Sequence, residues 1–327
     1  MIVIVEGIDR VGKTTLCDML VSKLGFTKFK DEWNLVPAAE RDESNTMQDA
    51  IDINNFSHGK LDSFMSMLKL ADSAGQNVVV DRFHLTEAVY SIVKRCRPNK
   101  EARYAFVEVD NWIARNLSDV TLVLVKPKNL VWSAKESGDD ISTADEMDKM
   151  FNSFYSSTQI QHKCITDFST LWGTLTWIKN ITFRYDFYFA SPFFNPEQVE
   201  REETMKERLR VVGCRVFSPK EATHLKSTAS NKEQSDTFKQ NLDAINNSFA
   251  VFAVTDGKDM GTIWECGYAY GKSKPIVYFA ETLGKNAFNL MLAQSGVDAL
   301  RSRGSITHDI IDMMLKGVKH EYEGLIE

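Results

Sequence analysis

Four stretches of this chain are apolar at every position rather than at every second one: IVIV at 2–5, VVV at 78–80, LVLV at 122–125 and FAVFAV at 249–254. Such a run has no face to give to water; the second and third read as buried strands, the strand type of parallel sheets, and the first and last read as strands. The segments between them carry apolar residues at helical spacing. TTLCDMLVSKLG follows the first run, FMSMLKLADSAG ends at Gly75 before the second, and EAVYSIVKRC follows it. Strands alternating with helices imply a parallel sheet. The second half repeats the alternation: FYFAS as a strand, EQVEREETMKERLRVVG as a helix laced with i,i+4 charge pairs, CRVFSP as a strand, and TFKQNLDAINNS as a helix. FAVFAVTD then reads as a strand, TIWECGYAYGKS as a helix and PIVYFA as a strand. At roughly 150 residues per domain, 327 residues favour two domains. A new apolar strand opens in KNITFRYDFYFASPFF, which sets the boundary near 180. The expected fold is therefore α/β, with two doubly wound parallel-sheet domains at 1–180 and 181–327. Sheets of this kind bind ligands beyond the carboxyl ends of their strands.

Composition narrows the function. With 43% hydrophobic and 26% charged residues, 7 Pro and 17 Gly, the chain is of the soluble globular type. Its 39 Lys+Arg against 45 Asp+Glu give a net charge of −6 with no basic block, which argues against nucleic acid as a partner but leaves small phosphorylated ligands open. Cys17, Cys96, Cys164, Cys214 and Cys266 are scattered, with no C-x-x-C pair, so neither a disulfide framework nor a zinc site is indicated. MIVIVEG is interrupted by Glu6 and Asp9 too early for a signal peptide, and no run approaches the ~20 apolar residues of a membrane span. A cytoplasmic location without a membrane partner is expected. The polar stretch Ser133 to Ser157, with Asp139, Asp140, Asp145, Glu146 and Asp148, reads either as a mobile lid containing a helix or as a solvated loop and helix.

Gly7-Ile8-Asp9-Arg10-Val11-Gly12-Lys13-Thr14 matches G-x-x-x-x-G-K-[ST] between a predicted strand and a predicted helix. The glycines let backbone N–H groups wrap phosphate oxygens, Lys13 bridges phosphates and Thr14 holds Mg²⁺. Asp81-Arg82-Phe83 ends the VVVD strand. Its carboxylate can approach the metal and its guanidinium an acceptor phosphate, although an Asp in that place also serves as a helix N-cap. EGIDRVGKTT and DRF, with Thr86, together resemble the thymidylate kinase family over approximately the first 170 residues. The resemblance implies a P-loop kinase using ATP and Mg²⁺ to phosphorylate a deoxynucleoside monophosphate. ATP would lie on Gly7, Gly12, Lys13, Thr14 and Thr15, with Mg²⁺ on Thr14 and Asp81. The acceptor would meet Asp9, Asp81 and Arg82, and Arg10 and Lys13 would be catalytic. Members with a P-loop arginine lack lid arginines, and Ser133 to Ser157 holds only Lys135 and Lys149. The family's acceptor-binding arginine ahead of the DR pair is missing, with only Lys60 in that neighbourhood. A deoxynucleoside kinase is the close rival.

In the second half, Asp256 to Ala269 joins a strand to a helix. Asp259 and Glu265 stand six apart across a Gly-Thr turn, where a loop carboxylate and a first-turn helical carboxylate converge at a strand end. Paired carboxylates in different surroundings can take separate acid and nucleophile roles. Equally, Asp259 can cap the helix and Glu265 can be a charge favoured by its dipole. Gly267 and Gly271, four apart, predict close packing of that helix on a neighbour. The segments Tyr188 to Phe194, Asn241 to Ile245, DGKDMGTIWECGYAYGKSKPI and Asn289 to Met291 resemble, in order, the nucleoside 2-deoxyribosyltransferase family, which has a flavodoxin/Rossmann-like domain. The resemblance implies that Glu265 attacks C1′ of a 2′-deoxyribonucleoside and that Asp259 contacts and protonates the base. Tyr188 would orient the nucleophile, Asn289 would hold the 5′-hydroxyl, and Asn241 and Gly261 would complete the nucleoside site, with no cofactor. Asn241 stands where many members carry Asp, and it can hydrogen-bond a base but cannot donate a proton as an acid. Related enzymes that hydrolyse deoxynucleoside monophosphates tend to carry Ser at the place of Asp259 and lack the N-L-M segment, which favours transferase. Members assemble so that a neighbouring subunit's C-terminus completes the site, so a homo-oligomer through this domain is expected, with the tail HEYEGLIE in that role. The chain thus reads as a bifunctional enzyme of deoxynucleotide salvage acting on deoxynucleosides, nucleobases and deoxynucleoside monophosphates, its rival being a nucleotide-binding regulator without turnover. His84, His224 and Cys266 read as structural residues.

Overall fold

A strand that is apolar at every position needs cover on both faces, and two layers of helices supply it. The computed structural model describes residues 1–30, 62–95, 97–222, 228–283 and 285–327, so Lys60, Cys96 and His224 lie outside the described residues. The chain divides into two units, Met1–Trp177 and Ile178–Glu327.

The first unit runs β1 (Ile2–Glu6), α1 (Lys13–Leu24), β2 (Thr27–Lys30), α2 (62–73), β3 (Val78–Asp81), α3 (His84–Val93), α4 (Asn99–Asn116) and β4 (Val120–Lys126). It continues through α5 (Leu130–Ser137), α6 (Ile141–Ser157), β5 (His162–Asp167) and α7 (Leu171–Thr182), inside which the division falls. The sheet has the order β2-β3-β1-β4-β5 with every pairing parallel. The apolar runs occupy its centre: β1 and β3 are buried throughout and β4 at all but its last residue. Register sets Val5 beside Asp81 and Glu6 beside Leu124, so the loops after β1, β3 and β4 leave the same edge. The polar stretch Ser133 to Ser157 is neither loop nor single helix. It is the end of α5 and the whole of α6, joined at Gly138 and Asp140, and α6 buries Ala144, Met147, Phe151 and Phe154 along one stripe.

The second unit runs β6 (Tyr185–Ala190), α8 (Pro196–Val211), β7 (Val216–Phe217), α9 (Pro219–Ala222), α10 (Asn231–Asn246), β8 (Ser248–Val254) and α11 (Met260–Gly271). β9 (Ile276–Phe279), α12 (Leu290–Ser295), β10 (Asp298–Leu300) and α13 (Ile310–Lys316) complete it. Its five strands, also all parallel, lie in the order β7-β6-β8-β9-β10. Chain direction across the sheet reverses between β6 and β8, and in a doubly wound fold the crevice at the carboxyl end of that pair is the ligand site. The core beneath it contains Tyr188, Phe217, Ile245, Val251, Cys266 and Tyr278. The expected close packing at Gly267 and Gly271 is not found: a Cβ at either would meet open space, so neither glycine is there for helix contact.

Candidate active sites

The phosphate-loop motif follows β1. Gly7 has φ 136°, and a Cβ there would stand 2.2 Å from the carbonyl oxygen of Val125, so the loop lies against the end of β4 in a way only glycine permits. A Cβ on Gly12 (φ 101°) would meet the Phe168 ring at 2.8 Å. Arg10, at φ 61°, is held in the left-handed region without being glycine. The Lys13 ammonium folds onto the carbonyl of Ile8. Burial, reinforced by the charge of Arg82, pushes its pKa down to about 8 against the pull of Asp9, Asp81 and Glu6. Thr14 Oγ1 donates to Asp81 Oδ2 at 3.0 Å, so the two expected Mg²⁺ ligands are neighbours. Asp81 is not an N-cap; α3 begins after Phe83 with no cap from its own loop.

The cap comes instead from Glu6, which is fully buried and was not singled out from the sequence. Its carboxylate accepts N–H bonds from Phe83 (2.9 Å), Leu85 (3.0 Å) and Thr86 (3.2 Å), and the Thr86 hydroxyl. Burial raises its pKa despite those donors. The turn so anchored holds Arg82 at φ 77° and aims its guanidinium at Asp9, to which it is ion-paired. Tyr90 Oη donates to Asp9 Oδ2 at 2.9 Å, and the Arg82 guanidinium lies 5.7 Å from the Tyr90 ring centre. Burial acts to raise the Asp9 pKa, but Arg82, Lys13 and Tyr90 outweigh it and hold the carboxyl below its ordinary range. These groups open on a cleft of about 960 Å³ whose walls include Asp9, Arg10, Gly12, Lys13, Thr14, Thr15, Arg82 and Tyr90. Gly7 and Asp81 are not part of that lining. Lys128 and Asn129 from the loop after β4, Trp132 from α5 and Phe168 from the loop after β5 add to the wall; the lysines read from sequence, Lys135 and Lys149, do not line it, and Lys149 pairs with Asp145. His84 is a core residue, bonded to Asp110 at 3.3 Å and stacked on Phe106.

In the second unit, Tyr188 is a central residue of β6, fully buried and stacked on Phe217 at 5.7 Å. Its hydroxyl reaches Glu265 Oε1 at 2.5 Å. Burial pushes the Glu265 pKa up to about 7, with the Tyr188 bond opposing and the Asp259 charge adding. Glu265 is the sixth residue of α11 and so belongs to its second turn, not to the first as the spacing had implied. Asp259 is the N-cap of α11. Thr262 donates to its Oδ2 from both N–H (2.7 Å) and hydroxyl (2.8 Å), while Oδ1 has no bond among the described residues. A Cβ on Gly261 would stand 3.2 Å from Asp259 Oδ2, crowding that cap.

Asn241 lies on α10 with its carbonyl oxygen buried and unpartnered among the described residues. Asn289 is exposed and caps α12 through Met291 N–H at 3.0 Å. Hydrogen bonding thus joins Tyr188 to Glu265, and Asp259 adds its charge. Neither Asn241 nor Asn289 bonds to that group. The tail packs on its own chain: Phe288 N–H reaches the carbonyl of Leu325 (2.8 Å), Glu327 N–H reaches that of Phe288 (3.0 Å), and Glu327 pairs with Lys258 at 3.1 Å. It therefore lies beside Asn289 and beside the residue preceding Asp259 without a second copy. Among the described residues no group of three His, Cys, Asp or Glu is placed to hold a metal ion, and no helix is long and apolar enough to cross a membrane.

No curated protein matches the chain. Among solved structures, a 2-deoxyribosyltransferase from Bacillus psychrosaccharolyticus is 31% identical over 36% of this chain and 88% of its own, with a TM-score of 0.34. A deoxyadenosine kinase from M. mycoides with bound dATP is 18% identical over 55% of this chain and 98% of its own, TM-score 0.41. The YorR protein of Bacillus subtilis is 16% identical over 55% and 95%, TM-score 0.37. Residues 187–314 match the family described as nucleoside 2-deoxyribosyltransferase, and through those residues the chain belongs to that family.

Proposed function

We propose that this chain is a bifunctional enzyme of nucleoside metabolism, exchanging bases on 2-deoxyribose in its second unit and transferring a phosphoryl group from ATP in its first. The observation that supports the exchange reaction best is the Tyr188–Glu265 contact of 2.5 Å at the carboxyl edge of the second sheet. A carboxylate buried beside one donor and one like charge is a strong nucleophile with little solvation to shed. In the form in which Glu265 is ionised and Asp259 carries a proton, a Glu265 oxygen attacks C1′ of a deoxynucleoside, the C1′–N bond breaks, and the base leaves with the bonding pair and takes that proton from Asp259 Oδ1, which is left as the carboxylate. A second base then attacks C1′ and releases Glu265, restoring the original anomeric configuration by double displacement. Asn241 offers the base edge a carbonyl oxygen that has no partner among the described residues, and Asn289 holds the 5′-hydroxyl.

In the first unit the loop backbone, Lys13 and Arg10 receive the phosphates of ATP. A hydroxyl and a carboxylate, Thr14 and Asp81, are the oxygen donors that suit Mg²⁺ shared with nucleotide phosphates, where the ion neutralises charge on the transferred group. The acceptor is a deoxynucleotide or deoxynucleoside placed against Asp9 and Arg82.

The test is chromatography of products after incubation with a 2′-deoxynucleoside and a different free base, with the corresponding monophosphate in parallel. A new deoxynucleoside that disappears in Glu265→Ala supports the transferase. Free base released only from the monophosphate makes this unit a nucleotide hydrolase, and exchange at full rate in Glu265→Ala removes the nucleophile from the mechanism.

A further inference from the structure

From the Asp9–Arg82–Tyr90 cluster we infer that the phosphoryl acceptor of the first unit is an uncharged deoxynucleoside hydroxyl and not a nucleoside monophosphate. The inference rests on reading that unit as a phosphotransferase. Among the described residues four cationic side chains line its cleft, Arg10, Lys13, Arg82 and Lys128, against two carboxylates, Asp9 and Glu136. Lys13 and Arg10 belong to the loop that wraps the donor's phosphates, and neither has a carboxylate ion-paired to it among the described residues. Arg82 is different. Its guanidinium is ion-paired to Asp9, and Tyr90 reaches both, at 2.9 Å to the carboxylate and 3.5 Å to the guanidinium.

The pairing is built in. Arg82 N–H is bonded to Val5 O at 2.9 Å, and the next residue is anchored on Glu6, so two residues of β1 fix the turn that carries the guanidinium. Among the described residues, the one cation on the acceptor side is thus already neutralised. A dianionic phosphate seated there would face the Asp9 carboxylate, at a distance where like charges repel strongly in a part-buried site. A neutral sugar hydroxyl meets no such opposition. It replaces the Tyr90 phenol as the donor to Asp9 and leaves the ion pair whole.

In the transfer, a bond forms between the hydroxyl oxygen and the γ-phosphorus as the bond from that phosphorus to the β,γ-bridging oxygen breaks. The hydroxyl proton passes to Asp9, and ADP leaves with the electron pair. Arg82, tethered beside the acceptor, faces the oxygens of the group in flight. The two units then form a sequence without a missing step. Base exchange yields a deoxynucleoside with a free 5′-hydroxyl, and that is the acceptor this cleft takes.

The experiment uses the full chain with γ-labelled ATP and Mg²⁺, offering the four common deoxynucleosides and their 5′-monophosphates separately. The expected result is label in a monophosphate, with kcat/KM for the preferred nucleoside roughly a hundredfold or more above that for any monophosphate. A monophosphate used as well as or better than the nucleosides overturns the inference while leaving the phosphotransferase standing; no labelled product from either set overturns the phosphotransferase reading itself. Asp9→Asn, checked for folding by its melting curve, is expected to lower nucleoside phosphorylation and to narrow the nucleoside-to-monophosphate ratio at least tenfold, because it frees Arg82 and removes the repelling charge. An unchanged ratio in that variant would refute the role given to Asp9.

Discussion

Replacing Tyr188 by Phe removes one oxygen from a buried position and should shift the pH range in which the second unit works. The ring stays stacked on Phe217 and the core keeps its volume, so the change falls on the 2.5 Å bond to Glu265. That bond lowers the Glu265 pKa, opposing the burial that has raised it to about 7. A hydrogen bond to a charged group contributes about 1.5–3 kcal/mol, and at 1.36 kcal/mol per unit its loss should lift the carboxyl by about one to two units. At pH 7 the ionised fraction would fall from about one half to between one-tenth and one-hundredth, with exchange slowing roughly five- to fiftyfold. Rates of base exchange measured from pH 5 to 10 should therefore show the rising limb displaced upward in Tyr188→Phe, with most of the deficit recovered near pH 9. A limb that stays where it was, with a loss equal at every pH, would refute the reasoning and leave Tyr188 with orientation alone.

Three further outcomes follow from the same geometry. Because the folded Glu265 carboxyl is raised from 4.5 to about 7, its proton stabilises the fold fully below the ordinary carboxylate range, and that contribution is lost as pH rises to about 7. Glu265→Gln should accordingly melt higher than the parent at pH 8, by an amount corresponding to up to about 3 kcal/mol, and no higher at pH 4; calorimetry at the two pH values decides it. Asp259→Ser keeps a cap for α11 and should unfold in urea within about 0.5 kcal/mol of the parent, whereas Asp259→Ala loses about 1 kcal/mol; both should slow exchange at least ~100-fold if the carboxylate acts as an acid, and full exchange in the Ser variant would reduce Asp259 to a cap. Glu6→Ala leaves three N–H groups without an acceptor in a fully buried place and should destabilise the first unit by at least about 3 kcal/mol in urea; a loss under about 1 kcal/mol would mean that water takes over.

The central strands were legible because burial on both faces leaves nothing but apolar side chains, as in β1, β3, β4 and β8. The edge strands were not. TKFK and HKCITD at β2 and β5 lie at the sheet margins and carry lysines, so their composition is that of a surface. The long helix α4 escaped for a similar reason: its charged residues outnumber the five it buries. The phosphate loop could be read because its glycines answer to local backbone geometry. Tyr90, Lys128 and Phe168 could not, since they reach the same cleft from three separate loops or helices. Glu6 did leave a signal, a carboxylate closing a wholly apolar strand, but its partners lie some eighty residues away. On α11 the spacing from Asp259 to Glu265 was right and the turn was wrong, because the helix starts at Met260.

Among the described residues four that are not glycine have positive φ, and three of them, Arg10, Arg82 and Lys258, stand in loops of the two candidate sites. Each such conformation costs about 1–2 kcal/mol relative to an unstrained residue. A library screened only for heat resistance would therefore be drawn to these positions, where glycine or asparagine relaxes the backbone. It would enrich variants that last longer and have lost Arg10, the cation proposed to face the phosphates, or Arg82, the partner of Asp9, or the tether of Lys258 to Glu327. Selection for durability in this protein has to be coupled to a selection for turnover, or it will erase what the loops are bent to hold.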